Sequence, residues 1–427
     1  MASTSTNTMS APVFFTTQTQ YPLPSQKYMI PMTWKRYQLS QLINKALSLT
    51  TPVPFDFLVK GEVLRASLSE WCAEHGEETL EIEYIESVMP PQKMSDFPHE
   101  DWVSSVSCKV KGYFFTASYD GHIRSFDYSK NVVSTTQVHA APITSFCTVP
   151  KSDDSNPSTY LIATASHDLT GQLTEITLDS STKAKPLASL HLHTAPISSI
   201  ASNAAGSHLL TSSWDSLVCL WDTTVPSSDE VPEEINERDR KKRRRIEEES
   251  KPKRKAPLIV LKSHTNRVSK VVFGSGTEAY SCGFDSTVRV WNTENGLCTR
   301  TISASEKPFL NLAAILEGGI LLATSTDRTM TMYDLRVEGL GTTAGSFMHP
   351  ATPSCIAVGT AGSQQVVTGA YDGVVRLWDL RSTKNAMASF KAWDGTQKVL
   401  SVDWQSGIVG VGGEGGLEVW KVGEERV

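Results

Sequence analysis

Ser, His and Asp, the residue types of acyl-transfer catalysis, occur together in this chain as His193, Ser213 and Asp215. In a hydrolase they would supply a nucleophile, its base and the group that orients the base. Here the set is not single. TSSWDSLVCLW carries a small-residue pair, then Asp215, then Trp221 six residues later, and the same arrangement recurs along the chain. TASYDGHIRSF holds Ser118, Asp120 and Phe126, SCGFDSTVRVW holds Asp285 and Trp291, and TGAYDGVVRLW holds Asp372 and Trp378. ATSTDRTMTMY and VGGEGGLEVW continue the series with Asp327 and Glu414, and TASHDLTGQLT carries Asp168 but has Thr174 in the aromatic position. A catalytic site occurs once, whereas a device that every structural unit needs recurs with each unit. The chain also lacks a phosphate loop, a dinucleotide fingerprint and paired Cys/His spacing of the zinc type. Its residues point away from an enzyme.

The seven acidic positions are separated by 48, 47, 70, 42, 45 and 42 residues. Five of these steps lie near the roughly 40–45-residue period of the WD repeat, and the long one places an insertion at about 225–257. Within each unit the apolar residues alternate with period two, as in VSKVVF and STVRVW, which predicts short antiparallel strands. One such sheet cannot bury both faces, so units must stack radially and close. The unit resembles the WD repeat in further detail: a His before the first strand, a Ser two before the Asp, and a Trp-Asp ending. In that family His193, Ser213, Asp215 and Trp221 would form a hydrogen-bonded relay across the blade. His99, Ser118 and Asp120 keep part of it in the first unit, and His264, Asp285 and Trp291 in the fourth, where Gly283 replaces the Ser. His139, His349 and Asp372 hold matching positions, while the fifth and seventh units lack the His and should lean on apolar packing. The last unit ends with little room for an outer strand, which residues 90–98 can supply from the other end.

Of 427 residues, 39% are hydrophobic and 20% charged, and the net charge is −6. That balance is ordinary for a globular protein and argues against coating nucleic acid with the whole surface. Seven scattered Cys fit a reduced compartment. The N-terminus has no signal-peptide pattern and no stretch approaches a membrane span, so a soluble intracellular protein is expected. Residues 1–11 read as a tail and 12–89 as a separate domain preceding a propeller over 90–427. VFFTT and a strand near Tyr28–Ile30 predict a hairpin, and Ser40 could cap a helix bearing Leu42, Ile43, Ala46 and Leu47. Two short strands flank Lys60-Gly61, SLSEWC suggests a helical turn, and LEIEYIE a final strand. The predicted architecture is an α+β ubiquitin-like roll followed by an all-β seven-bladed WD40 propeller.

The runs MTWKRYQLSQLIN, PVPFDFLVKGEVLRASLSEW, LEIEYIESVMPP and EDWVSSV resemble one family over essentially the whole chain. These are large-ribosomal-subunit (pre-60S) assembly factors that join a Notchless-like ubiquitin-like domain to a WD propeller. The nearest resemblance is to the WD-repeat subunit of the pescadillo/block-of-proliferation complex. It implies a nuclear, nucleolar and nucleoplasmic role in pre-rRNA processing, with the propeller docked on that of the block-of-proliferation homologue, beside the pescadillo homologue. It also implies that the ubiquitin-like domain offers a carboxylate to a metal site of midasin, a giant AAA ATPase. A Mg²⁺ held by that partner with an open octahedral position would be completed by the incoming oxygen. The family's ligand falls on Glu77 in HGEET, with Glu78 the neighbouring choice; the chain itself needs no cofactor.

The insertion VPSSDEVPEEINERDRKKRRRIEEESKPKRKAP has blocks of alternating charge and few large apolar residues, which predicts disorder over 225–257. Its two basic clusters are Arg240, Lys241, Lys242, Arg243, Arg244 and Arg245, then Lys251, Lys253, Arg254 and Lys255. They match a two-part nuclear localisation signal and could equally touch rRNA phosphates without reading sequence. A competing function comes from WDLR (Trp378–Arg381) and YDLR (Tyr333–Arg336), which look like the endings through which cullin-4 ligase substrate receptors meet their adaptor.

Overall fold

The computed structural model describes residues 9–75, 80–151, 158–178, 183–232, 252–303, 306–315, 318–337, 343–359 and 364–423. It divides into two compact units, one of residues up to Pro90 with Trp378–Ala388, the other of Pro91–Leu377 with Ser389–Val427.

In the first unit β1 (Ser10–Thr16) turns Ala11, Val13 and Phe15 inward and pairs antiparallel with β2 (Lys27–Pro31). Next come α1 (Arg36–Ala46), β3 (Phe55–Val59), β4 (Glu62–Val63), α2 (Leu68–His75) and β5 (Leu80–Glu86). The sheet order is β2-β1-β5-β3-β4, with β5 central and parallel to β1. That order is the ubiquitin-like roll. Lys60 and Gly61 both have positive φ, at 51° and 76°, as a two-residue hairpin turn between β3 and β4 requires. Leu39 and Ile43 of α1 are fully buried with Phe15, Phe57 and Tyr84, and the Phe55 and Tyr84 rings meet edge-on at 5.5 Å. Two local expectations are corrected. The helix begins a turn before Ser40, so Ser40 cannot cap it; its Oγ instead accepts from the Phe55 amide at 3.1 Å, where β3 starts. The SLSEWC turn is a full helix, with Ser67 as its N-cap: the Glu70 amide reaches the Ser67 Oγ at 3.3 Å, and that hydroxyl also donates to the Glu70 carboxylate at 3.0 Å.

The second unit contains seven sheets, each counted here as a blade: 103–137, 143–191, 197–262, 268–302, 309–348, 353–391 and 399–421. The innermost strand of each blade contacts that of the next, and the inner strand of blade 7 (Val399–Gln405) contacts that of blade 1 (Val103–Ser107). The ring is closed. Its apolar clusters lie mostly between blades: Phe115, Ile123, Ile143 and Ile162 join blades 1 and 2, while Val218, Leu261, Val268 and Val271 join blades 3 and 4. A second set of joints is polar. A hydroxyl near the start of one inner strand donates to a carbonyl at the start of the next: Thr144 to Ile197 O at 2.6 Å, Ser198 to Val268 O at 2.6 Å, Ser269 to Phe309 O at 2.7 Å and Ser354 to Val399 O at 2.6 Å.

Blade 7 has three strands of its own, and its fourth is β6 (Gln92–Phe97), antiparallel to Gly416–Lys421. Lys93 of β6 reaches the Glu418 carboxylate at 2.6 Å. Glu418 is 1% exposed and also accepts from Trp420 Nε1 at 2.9 Å and the Trp393 amide at 3.2 Å. Removing Glu418 strands two half-buried N–H donors and opens a cavity at a buried site, so Glu418→Ala should lower stability by about 2–4 kcal/mol in urea unfolding of the full chain. Lys93→Ala should cost about 1 kcal/mol or less, because the Lys93 side chain is half-exposed in the folded ring.

Candidate docking surfaces

The acidic residue of every unit sits in the turn between the second and third strands of its blade, and in blades 1 to 6 its first task is local. Its Oδ1 accepts the amide two residues on: His122 N to Asp120 at 2.9 Å, Thr170 to Asp168 at 3.0 Å, Leu217 to Asp215 at 2.9 Å, Thr287 to Asp285 at 3.2 Å, Thr329 to Asp327 at 3.0 Å and Val374 to Asp372 at 3.0 Å. The intervening residue is left-handed each time, including Leu169, Ser216, Ser286 and Arg328 with φ between 59° and 71°. The carboxylate thus holds a backbone conformation that side chains other than glycine disfavour.

A relay is added to this turn in blades 2, 3 and 4. In blade 3, His193 Nδ1 lies 2.8 Å from the Asp215 carboxylate, His193 Nε2 lies 2.9 Å from Thr211 Oγ1, and Trp221 Nε1 donates to the same Oγ1 at 2.9 Å. The carboxylate can only accept, so the imidazole carries its proton on Nδ1. Nε2 is then the acceptor of the Thr211 hydroxyl. Blade 4 repeats the arrangement with His264, Asp285, Ser281 and Trp291 at 2.7, 2.6 and 2.8 Å. Blade 2 joins His139 to Asp168 at 2.7 Å and to Thr164 at 2.9 Å. The hydroxyl of the relay therefore lies four residues before the acid. Ser213 is not part of it; it donates to the Ala195 and Pro196 carbonyls and receives the Asp215 amide. For the same reason Gly283 leaves the relay of blade 4 intact.

Blades 1 and 6 solve the problem differently. Arg124 binds Asp120 at 2.6 Å and Arg376 binds Asp372 at 2.7 Å, while His99 and His349 turn Nδ1 to the carbonyls of Phe97 and Phe347. Ser118 donates to Asp120 at 2.5 Å, and the hydroxyls facing the two His are Thr116 and Thr368, both at 2.9 Å. Phe126 gives blade 1 no indole donor, and Trp378 is buried in blade 6. The sequence signal for the His–hydroxyl contact is a paired one: a His accompanies a Ser or Thr four before the acid in blades 1, 2, 3, 4 and 6. Blades 5 and 7 have Ala323 and Gly410 at that place. In blade 7, Trp393 fills the space; a Cβ on Gly413 would come within 2.9 Å of its ring, and one on Gly415 within 2.5 Å.

Burial pushes the Asp120 and Asp285 carboxyls up, yet hydrogen bonds from Arg124 and His264 respectively outweigh it and bring both down to about 2. Burial lowers His349 to about 4.

The insertion is ordered at its return end, against the expectation for 225–257. Lys253–Lys255 is a strand running parallel to Lys183–His191, the outer strand of blade 2. Lys255 is 2% exposed and holds Asp222 and the Thr224 carbonyl through Nζ, and the Arg254 amide donates to Asp229 at 2.8 Å. Lys255 is a buried partner of blade 3, not a free cation for an import receptor. Arg240, Lys241, Lys242, Arg243, Arg244, Arg245 and Lys251 lie outside the described residues, as do Glu77 and Glu78 between α2 and β5. Arg381 and Arg336 each fold back on the Asp of their own motif with paired contacts, at 2.8 and 2.7 Å to Asp379 and 2.9 and 2.7 Å to Asp334. Among the described residues no group of His, Cys, Asp and Glu could hold a metal ion, and no helix is long and apolar enough to cross a membrane. All seven Cys are unpaired.

This combination defines a WD-repeat propeller protein with an N-terminal domain of the NLE type. The NLE (NUC135) domain profile matches residues 13–72, and the WD domain, G-beta repeat profile matches 92–127, 184–222, 255–292 and 343–379. A ribosome biogenesis protein YTM1 of Laccaria bicolor is 66% identical over 439 residues, covering 99% of this chain and 97% of that protein. The YTM1 protein of Coprinopsis cinerea is 63% identical with 98% and 96% coverage, and that of Saccharomyces cerevisiae S288c 30% identical with 92% and 92%. The chain belongs to the YTM1 family of ribosome biogenesis proteins.

Thr211→Val removes the common partner of His193 and Trp221 and should cost about 2–3 kcal/mol, against about 1 kcal/mol for Ser213→Ala, measured by urea unfolding. Acid should weaken the ring in two stages. The lowered His349 contributes stability that is complete above its ordinary value of 6.5 and lost as pH falls through about 4. The change is about 3 kcal/mol, and His349→Gln should flatten that limb in unfolding midpoints taken from pH 7 to 4. The depressed Asp120 and Asp285 add a second loss as pH falls below 3.8 towards 2.

Proposed function

We propose that this chain is a non-enzymatic adaptor in assembly of the large ribosomal subunit, acting in pre-rRNA processing and pre-60S maturation. The observation that carries it is similarity to ribosome biogenesis proteins running through both the NLE-type domain and the propeller, at 66% identity. A fold alone would not suffice, since propellers serve many functions. The propeller docks on that of the block-of-proliferation homologue, with the pescadillo homologue as third member. The repeated Ser, Thr, His and Asp residues support a scaffold: in blades 2, 3 and 4 the His and Asp bind each other and a Thr or Ser of the same blade.

The ubiquitin-like domain presents Glu77, or Glu78 beside it, to the Mg²⁺ of midasin. The flanking elements suit a handle, because the preceding helix is capped by Ser67 and the following strand is central in the sheet. A carboxylate on such a base completes a hard cation's octahedron and can transmit the pull of ATP hydrolysis in the partner. Nuclear and nucleolar entry is assigned to Arg240–Arg245, with rRNA phosphate contact a further use of the same charges. The paired states of Arg381 and Arg336 weigh against the cullin-4 alternative, which needs an arginine offered outward.

Full-length Glu77→Ala should bind the midasin metal-site domain at least tenfold more weakly than the wild type, whose binding should vanish with chelator. Undiminished Mg²⁺-dependent binding by a Glu77→Ala, Glu78→Ala double variant would refute the handle.

A further inference from the structure

Strand alternation has a second consequence at the acid-bearing turns. In blade 3, Ser213 and Asp215 face the blade's own frame, so the residue between them, Trp214, faces solvent. The same position is Tyr119, His167, Phe284 and Tyr371 in blades 1, 2, 4 and 6. The backbone there is tied to the loop entering the same blade. Tyr119 N donates to Trp102 O at 2.9 Å, His167 N to Pro142 O at 3.0 Å, Trp214 N to Pro196 O at 3.0 Å, Phe284 N to Arg267 O at 2.8 Å and Tyr371 N to Thr352 O at 3.1 Å. The rings stand on a preorganised base.

They form a continuous patch across blades 2, 3 and 4. His167 meets Trp214 edge-on at 5.4 Å, and the Arg267 guanidinium lies over the Trp214 ring at 4.5 Å. Trp214 is 39% and Phe284 37% exposed. No blade core uses these rings, and exposed indole and phenyl surface marks a contact site. Arg267 is itself exposed, and its guanidinium makes no hydrogen bond or ion pair among the described residues. A guanidinium stacked on an indole keeps its edge N–H donors free in the plane, the geometry that accepts a carboxylate with two hydrogen bonds. Beneath the patch lie the carboxylates Asp168, Asp215 and Asp285, so a polyanion such as RNA is disfavoured and a single acidic side chain suits the lone cation.

We propose that His167, Trp214, Arg267 and Phe284 form a docking surface for a protein partner that presents an Asp or Glu beside an apolar side chain. Trp and Arg are the residue types that dominate binding energy at such centres. The inference rests on the reading that the propeller docks a protein, and adds which surface does so and through what chemistry.

The test is titration of the full chain with the propeller of the block-of-proliferation homologue, comparing wild type, Trp214→Ala, Arg267→Glu and Leu297→Ser. Leu297 is 62% exposed, in the turn at the other end of the Val288–Asn292 strand, and serves as the control. All variants alter exposed side chains, and a thermal melt confirms that each is folded. Trp214→Ala and Arg267→Glu should each weaken binding at least tenfold while Leu297→Ser matches wild type. Wild-type affinity in both patch variants, or equal loss in the Leu297 control, overturns this surface but leaves the docking reading standing. Absence of binding by the wild type overturns the docking reading and this inference together.

Discussion

Everything in the propeller depends on closing the ring. Its apolar clusters lie largely between neighbouring blades, so a blade with an open side exposes half of what it should bury. The closing pair is β6 against Gly416–Lys421, residues more than 300 positions apart in sequence. Closing so long a loop costs chain entropy before the contact repays it, so the pairing needs strong side-chain support. Glu418 suits this task because one buried carboxylate gathers Lys93 from the latch strand, the Trp420 indole and the Trp393 amide. The position of the latch also matters for a chain pulled from its N-terminal domain. The first unit's leading segment ends at Pro90 and β6 begins at Gln92, so tension along the backbone meets the latch before any other strand of the ring. The handle proposed for the ubiquitin-like domain would work only if that ladder outlasts the contact being broken.

The acidic residue of each repeat combines two roles that the sequence pattern merges. Holding the turn is common to blades 1 to 6, because a left-handed residue follows the acid each time. Tying the turn to a His is a separate role, taken in blades 2, 3 and 4 and handed to an arginine in blades 1 and 6. Both solutions satisfy the carboxylate's hydrogen bonding from within the blade, and in blades 1 and 6 the arginine also opposes its charge. Arginine does so directly; histidine does so through a chain that also satisfies a hydroxyl and, in blades 3 and 4, an indole. A buried carboxylate without either partner would be costly. This explains why Asp327, which has neither contact described, is the exposed one of the series, its polar needs met by Thr329 and solvent.

The fold was legible wherever a single local rule decided the outcome. Period-two alternation located the strands, spacing located the blades, and the short final unit pointed to residues 90–98 as the latch. Misreadings arose where two rules competed. Ser213 fits the usual position of the motif, yet the residue facing His193 is Thr211, one alternation earlier, and only the joint absence of His and hydroxyl in blades 5 and 7 reveals it. Ser40 is a good capping residue, but a helix already started by Lys35 and Gln38 left it to serve β3 instead. Lys253–Lys255 reads as solvated charge because composition cannot register Asp222 and Thr224, thirty residues away, as partners for Lys255.

The same alternation that makes the repeat recognisable also separates its two kinds of information. At each turn the inward positions answer to the blade and can change only with their partners, as the exchange of His–Asp for Arg–Asp pairs shows. The outward position between them touches nothing the fold requires. It holds Tyr, His, Trp, Phe, Thr and Tyr in blades 1 to 6, a diversity that structure alone does not demand. In six of the blades its amide is bonded to the entering loop, so a new side chain there arrives already oriented. A repeat protein can therefore acquire a specific partner by changing single residues on a frame that remains intact, and in this chain those residues are mostly aromatic.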